Sequence, residues 1–102
     1  MVISLAGEWD IYRREELRKR LAPALTESDV VLDLTSAKYI TSTLICALVL
    51  AHKERLQKSL GPISLAVTSA FVRRLCSATG LDGLFPIYPS VDDALRARKL
   101  SA

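Results

Sequence analysis

Short apolar runs alternate along the chain with longer stretches in which apolar and polar positions are mixed. The runs that predict strands are residues 2–6, 30–34, 63–67 and 85–88. In the longer stretches apolar residues recur every three or four positions, which predicts helices. Alternation of strand and helix places the strands in parallel, so the pattern predicts one α/β domain with a mostly parallel sheet. Pro86 puts the last strand at a sheet edge, because proline lacks the amide hydrogen that a central strand requires.

The first predicted helix begins near Arg13 and has one apolar face. Leu17, Leu21 and Leu25 recur at every fourth position, and charged residues occupy the other faces. Pro23 lies near the end of this stretch and lacks an amide hydrogen. We therefore expect the last turn of the helix to be irregular.

The second predicted helix begins with three hydroxyl residues in a row, Thr41, Ser42 and Thr43. Serine and threonine side chains accept hydrogen bonds from the unpaired amides of a first helical turn, and an apolar run follows them at residues 44–51. The pattern continues through Leu60, so we expect this helix to end at the Gly-Pro pair that comes next.

Two further helices have clear limits. Thr68 or Ser69 is expected to cap the third, and Gly80 to end it. Ser90 and Asp93 have the spacing of a capping box, which predicts the start of a fourth helix. The chain therefore contains four predicted strands and four predicted helices.

Length and charge narrow the classes of protein that fit this pattern. The chain has 102 residues, 50% of them hydrophobic and 25% charged, which is typical of one globular domain. Its net charge of +3 is spread over several helices among acidic residues, and this argues against a nucleic-acid interface. The longest uncharged stretch, residues 39–51, falls short of the roughly 20 residues of a membrane span. With no leader pattern at the first residues, we expect a cytoplasmic protein without membrane insertion.

Catalytic chemistry has few candidate residues. The four glycines are scattered and match no phosphate-binding or dinucleotide-binding pattern, and no cluster has the spacing of metal ligands. We interpret His52, the one histidine, as a structural residue at the border of the core. Cys46 and Cys76 are expected to be small, reduced core residues. The sequence therefore predicts no enzyme, no cofactor and no metal.

The three hydroxyls at the start of the second helix exceed what capping requires, because one side chain suffices for it. They also follow a strand that carries Asp33, and ligand sites in α/β sheets gather at the carboxyl ends of strands. A phosphoryl group here would meet free amides and the positive end of the helix dipole. The pattern therefore favours a switch by phosphorylation that changes partner binding while the fold persists.

Three segments resemble one known family: VVLDLT at 30–35, YITSTL at 39–44 and TGLDGLFPIY at 79–88. Together they resemble the STAS domain, which sulphate transporters share with bacterial anti-sigma factor antagonists. The resemblance covers nearly the whole chain, so we take 1–102 as a single STAS domain. It implies a mostly parallel sheet of four to five strands, with about four helices packed mainly on one face.

The antagonist branch of this family implies a function. Such a protein binds an anti-sigma factor that is itself a serine/threonine kinase, and this frees a sigma factor. The kinase phosphorylates a residue at the start of the second helix, which breaks the complex, and a phosphatase restores it. The resemblance places the phosphoacceptor at Thr43, with Ser42 as the alternative. It places the partner surface at Asp33, Thr41, Ser42, Thr43 and Leu44.

Two positions depart from the usual Asp-Ser-Ser/Thr-Gly-Leu motif of that branch. Thr41 stands in the place of the acid, and Leu44 stands in the place of the glycine, where it adds bulk on the side that a partner approaches. Both departures also fit the second hypothesis. In that case the chain is a STAS subunit that is not phosphorylated, within a lipid or anion transporter or a signalling scaffold complex.

Overall fold

Four strands form one parallel sheet in this computed structural model, which describes residues 1–101 and side chains as far as residue 97. The strands are β1 (Val2–Ser4), β2 (Val31–Asp33), β3 (Ser64–Ala66) and β4 (Ile87–Tyr88). Within the described residues they lie in the order β1-β2-β3-β4, and each neighbouring pair is parallel. The predicted sheet and the edge position of the last strand are confirmed. Ala102, part of the predicted domain, lies outside the described residues.

The strands are shorter than predicted because the regular ladder stops before the hydrogen bonding does. The amide of Leu5 donates to the carbonyl of Asp33 at 3.1 Å, and that of Leu34 donates to Ala66 at 2.9 Å. Both residues lie just beyond a strand, at the edge of the sheet where the carboxyl ends meet. The segments predicted from sequence are therefore extended and paired, although their last residues leave the ladder.

Four helices follow the four strands in turn, as predicted. They are α1 (Arg14–Leu21), α2 (Ser42–Gln57), α3 (Ala70–Ala78) and α4 (Val91–Ser101). Pro23 lies in a 3₁₀ turn, Ala22–Leu25, that continues α1, and this is the irregular last turn expected from its missing amide. A further 3₁₀ turn, Ile11–Arg13, precedes α1.

The caps of α3 and α4 follow the sequence signals. Ser69 accepts the amide of Val72 at 3.3 Å and so caps α3, which decides between the two candidates. Thr68 instead donates its hydroxyl to the carbonyl of Pro89. Ser90 accepts the amide of Asp93 at 3.1 Å and donates to its carboxylate at 3.0 Å. The Ser90 hydroxyl therefore caps α4 as predicted, but in the described hydrogen bonds the Asp93 carboxylate accepts from that hydroxyl instead of from the Ser90 amide, so the capping box is only half formed.

The two faces of the sheet are covered unequally. Side chains alternate along a strand, so Leu32 and Leu65 face one side while Val31 and Ala66 face the other. Helices α1, α2 and α3 pack on the side of Leu32 and form the main core. Among the described residues only α4 covers the opposite side, where Ala94 packs in a small second cluster. Three helices on one face is the arrangement that the resemblance implies.

The end of α2 was predicted wrongly. The helix ends at Gln57, before Leu60 and Gly61, because Ser59 adopts a left-handed backbone with φ of 59°. The amide of Leu60 then reaches back to the carbonyl of Arg55 at 2.8 Å. This is the Schellman arrangement, which usually has glycine in the left-handed position. The glycine signal therefore marked the next turn rather than the helix end.

A buried arginine ties the same end of α2 to the segment after α1. Arg55 has no exposed surface, and its guanidinium donates to four main-chain carbonyls at 2.6–2.8 Å. These carbonyls belong to Ala24, Glu27, Ser28 and Gly61. A buried charge requires such partners, because the loss of water is otherwise costly. The contact holds the lower end of α2 against the chain that enters β2.

None of the described helices is both long and apolar enough to span a membrane.

Candidate functional site

The start of α2 lies at the carboxyl edge of the sheet, and Thr41 attaches it there. The Thr41 hydroxyl accepts the amide of Leu44 at 3.1 Å, which caps the helix, and it donates its own proton to the carbonyl of Trp9. One side chain therefore closes the first turn and joins it to the segment between β1 and α1. The acid that the motif has at this position could accept the amide but could not donate to a carbonyl when ionised.

The other two hydroxyls are left accessible by this arrangement. Ser42 is exposed and Thr43 is half-buried in the first turn of α2. Both side chains line a groove of about 830 Å³ between α1 and α2. The three predicted hydroxyls thus have two kinds of environment, since Thr41 is engaged in capping while Ser42 and Thr43 face a surface groove.

The α1–α2 groove has an apolar floor and charged walls. Its apolar lining includes Ile11 and Leu50, whose side chains are 62% and 66% exposed, and Cys46 and Ala47 from the same side of α2. An exposed apolar strip of this kind, rimmed by charges, is typical of a protein-binding surface.

Charged side chains of α1 line the groove beside the two hydroxyls. They are Arg14, Glu15 and Arg18, and Glu54 lies at the far end on α2. Arg18 pairs with Glu15 at 3.1 Å on the helix surface. This wall was not predicted, although positions 11, 14, 15 and 18 share one helical face and carry the signal.

Trp9 supports the segment to which Thr41 is bound. Its ring is 3% exposed, and the guanidinium carbon of Arg13 lies 3.7 Å from the ring centroid. Arg13 also donates to the carbonyl of Glu8 at 2.9 Å and pairs with Glu16 at 3.0 Å. The hydrogen bond with Glu16 raises the pKa of Arg13 and lowers that of Glu16. These contacts order the chain beside the start of α2, and they were not predicted from the sequence.

Asp33 lies at the same edge of the sheet but on its other face. Its carboxylate accepts the amide and the hydroxyl of Thr35 at 3.0 and 2.6 Å and the hydroxyl of Ser4 at 3.3 Å. Partial burial acts to raise the pKa of Asp33, but these hydrogen bonds outweigh it and hold the pKa below its usual value. Among the described residues no hydrogen bond joins it to Thr43. Its place in a partner surface therefore stays a prediction.

Leu44 points into the protein. Its side chain is 1% exposed and belongs to the main core, with Leu48 one turn further along α2. The bulk that we expected on the partner's side is therefore directed inward, because the first turn presents Ser42 and Thr43 to the groove instead. A partner that approaches the start of α2 meets the two hydroxyls rather than this side chain.

The histidine and the cysteines have separate environments. His52 lies at the border of the core, as interpreted, and its ring meets Phe85 edge to face at 5.2 Å between centroids. Cys76 is fully buried, as predicted, and burial raises the pKa of its thiol. The core prediction for Cys46 was wrong: its side chain is exposed in the groove, because this face of α2 turns away from the sheet. No group of metal-ligating side chains occurs within the described part of the chain.

The fold agrees with that of known proteins to which the chain is similar. Residues 1–94 match the STAS domain family, and the chain therefore belongs to that family. No curated protein is significantly similar to it in sequence.

Solved structures with the same fold include two proteins. An anti-sigma factor antagonist from Mycobacterium paratuberculosis is 29% identical, with a TM-score of 0.77 over 94% of this chain and 82% of that one. The protein TM1081, solved by NMR, is 19% identical, with a TM-score of 0.76 over 93% of this chain and 78% of that one. The crystal structure of the same protein, from Thermotoga maritima, is 20% identical, with a TM-score of 0.73 over 94% of this chain and 86% of that one. At these lower identities the second protein supports the fold alone.

Proposed function

We propose that this chain is an anti-sigma factor antagonist that binds a kinase-type anti-sigma factor and is switched off by phosphorylation at Thr43. The α1–α2 groove and the first turn of α2 form the binding surface in this proposal. The similar structure from Mycobacterium paratuberculosis, which is an anti-sigma factor antagonist, supports the choice of partner class.

The different roles of the three hydroxyls support the proposal. Thr41 alone caps α2, so a modification of Thr43 leaves the cap and its bond to Trp9 intact. Thr43 is the second helical residue, where added negative charge is favoured by the helix dipole. A phosphorylated chain would therefore keep its fold while its surface changes.

The chemistry of the switch is an ordinary phosphoryl transfer. The kinase moves the γ-phosphoryl group of ATP to Thr43 Oγ1: a P–O bond to the side chain forms, the bond between the β- and γ-phosphates breaks, and ADP and a proton leave. The product adds nearly two negative charges at the mouth of an apolar groove. A partner that covers Ile11 and Leu50 would have to remove water from this charge, which disfavours the complex. A phosphatase would reverse the change by hydrolysis.

The mass of the protein isolated from its own host tests the modification. We expect a fraction of the protein molecules to carry one added phosphoryl group, which fragmentation in the mass spectrometer would locate at Thr43. Location at Ser42 would move the switch by one residue and retain the mechanism. If no phosphorylated species occurs under several growth conditions and the chain co-purifies with membrane proteins, the transporter or scaffold alternative replaces this proposal.

Binding variants test the partner. Candidate anti-sigma factors from the host, purified singly, would be titrated with the wild type, Thr43→Ala and Thr43→Glu. We expect Thr43→Ala to bind like the unmodified chain and to escape the kinase, and Thr43→Glu to bind about ten-fold more weakly or worse with native circular dichroism.

The matched control is Ser77→Glu, which adds the same charge on the exposed side of α3. This variant should bind normally. Equal binding of Thr43→Glu and wild type to the anti-sigma factor would exclude the switch.

A further inference from the structure

A phosphoryl group on Thr43, which rests on the proposed phosphorylation, would have contacts within the chain itself as well as with a partner. Thr43 opens onto the α1–α2 groove, and α1 forms the opposite wall. The charges on that wall therefore decide whether the phosphate stays in solvent or is held across the groove.

The two helices run side by side in matched register. At the upper end Thr41 contacts Trp9, 32 positions earlier, and at the lower end Arg55 contacts Ala24, 31 positions earlier. Lys58 reaches Leu25, 33 positions earlier. As far as Leu25 the offset is nearly constant, so a residue of α2 lies level with the residue about 32 positions before it. Arg55 also reaches Glu27 and Ser28, 28 and 27 positions earlier, which lie beyond the 3₁₀ turn that continues α1.

This register places Arg14 close below Thr43 on the other wall. Thr43 is level with Ile11. Arg14, the first residue of α1, lies three residues further along the chain, or about 5 Å along the helix axis. Side chains on a helix lean toward its N-terminus and cover the turn before their own. The long Arg14 side chain therefore reaches back to the level of Thr43.

Of the two cations that line the groove, Arg14 is the one that is free to respond. The structure gives this side chain no hydrogen bond or ion pair among the residues whose side chains it describes. Arg13 is engaged with Trp9 and Glu16. Arg18 lies one turn lower and is paired with Glu15 at 3.1 Å.

The negative groups that share the groove are Glu15 and Glu54. Glu15 is already matched by Arg18, and Glu54 lies at the far end of α2. Both would repel a new dianion at Thr43 and so oppose its binding in the groove, and the attraction of the unpaired guanidinium has to outweigh them. Guanidinium and phosphate form paired, charge-assisted hydrogen bonds, which are stronger than those of lysine.

We propose that Arg14 binds the phosphoryl group of phosphorylated Thr43 across the α1–α2 groove, so that the modified chain closes its own partner surface. Phosphorylation then acts in two ways, since it adds charge and it also covers the apolar floor near Cys46. The switched-off state is a closed groove held from within the chain.

Phosphorus NMR of the full chain tests the contact. Phosphothreonine would be inserted at position 43 during translation, so the test requires no kinase. The second proton of a phosphate monoester titrates at about pH 6, and a bound guanidinium favours the dianion. We expect Arg14→Gln to raise the proton affinity of the phosphate about three-fold. Arg74→Gln, which removes the same charge from exposed α3, should leave it unchanged.

The thiol of Cys46 provides a second readout of groove closure. Its alkylation by the neutral reagent N-ethylmaleimide should be slower in the phosphorylated chain, and Arg14→Gln should restore the rate. If the groove did not close, Arg14→Gln would instead slow the alkylation further, because removing a nearby cation disfavours the reactive thiolate. Cys76 is fully buried and serves as the internal control.

The inference stands only if both readouts move as stated. If Arg14→Gln and Arg74→Gln titrate alike, Arg14 does not bind the phosphate. If Arg14→Gln slows the alkylation of Cys46 further, the groove does not close. Either failure would refute the Arg14 contact and leave the proposed phosphorylation by a partner kinase unaffected. Conversely, if the host had no such kinase, the proposed function would fail, but the contact could still be measured in the phosphothreonine protein.

Discussion

The Thr41 hydroxyl donates a hydrogen bond to the carbonyl of Trp9, which attaches the first turn of α2 to the segment that leads into α1. The same hydroxyl accepts the amide of Leu44. The side chain that starts the helix therefore also positions it in the tertiary structure. Thr43, two residues later, owes its place on the groove to this double contact.

Replacement of Thr41 by alanine should remove both hydrogen bonds at once. We expect Thr41→Ala to lower the free energy of unfolding by about 1–2 kcal/mol, because a lost cap and an unpaired carbonyl each have a cost. Ser42→Ala, an exposed neighbour, should change it by less than about 0.5 kcal/mol. Urea denaturation of the two variants measures both values. Equal stability of the two would show that Thr41 has no tertiary role.

Acid should remove a contribution of Asp33 to stability. Because hydrogen bonds hold its pKa below the usual value, this contribution is complete above the pKa of the unfolded chain, about 4. It is lost as the pH falls through the lower pKa of the folded state. We expect Asp33→Asn to reduce stability more at pH 7 than at pH 3, measured by urea denaturation at each pH. A difference independent of pH would contradict this.

Arg55 should not be replaceable by lysine. A lysine offers one ammonium group and cannot satisfy four carbonyls around a planar guanidinium. We expect Arg55→Lys to lower the free energy of unfolding by about 2–4 kcal/mol. The same exchange at the exposed Arg74 should be nearly neutral. Thermal denaturation of both variants would reveal the contrast, and a stable Arg55→Lys protein would refute it.

Glycine at position 59 should stabilise the chain. Ser59 has a left-handed backbone, which disfavours any residue with a β-carbon, so we expect Ser59→Gly to add about 0.5–1 kcal/mol. Gly80 provides the reverse control, since its φ is 80° and an added β-carbon meets no atom within 4 Å. Gly80→Ala should therefore cost about 1 kcal/mol from the backbone alone. Shifts of the two melting temperatures in the same direction would contradict this account.

The order of strands and helices could be predicted because it depends on local patterns. The spacing of Leu17 and Leu21, the hydroxyls before α2 and the pair Ser90–Asp93 all act within a few residues of themselves. The same holds for the edge strand with Pro86. These local signals agree with the structure, whereas the Gly-Pro pair after α2, also a local signal, marked the next turn instead of the helix end.

The errors arise where distant residues decide the outcome. Cys46 lies in an apolar stretch, yet it is exposed because α1 leaves a groove along this face of α2. Arg55 is charged, yet it is buried because four carbonyls from two separate segments surround it. Asp33 shares an edge with Thr43, but the pleat of β2 turns its carboxylate to the other face. No pattern along the chain contains these facts.

The ties between α1 and α2 have main-chain carbonyls as their acceptors, at Trp9, Ala24 and Leu25. A carbonyl is present whatever side chain the residue carries, so these contacts on either side of α1 do not depend on the charged residues that α1 presents to the groove, while its Leu17 and Leu21 pack in the core. Substitutions along that wall can change the charges that a partner meets without changing the width of the groove. The choice of partner can therefore change in evolution while the width of the groove is kept.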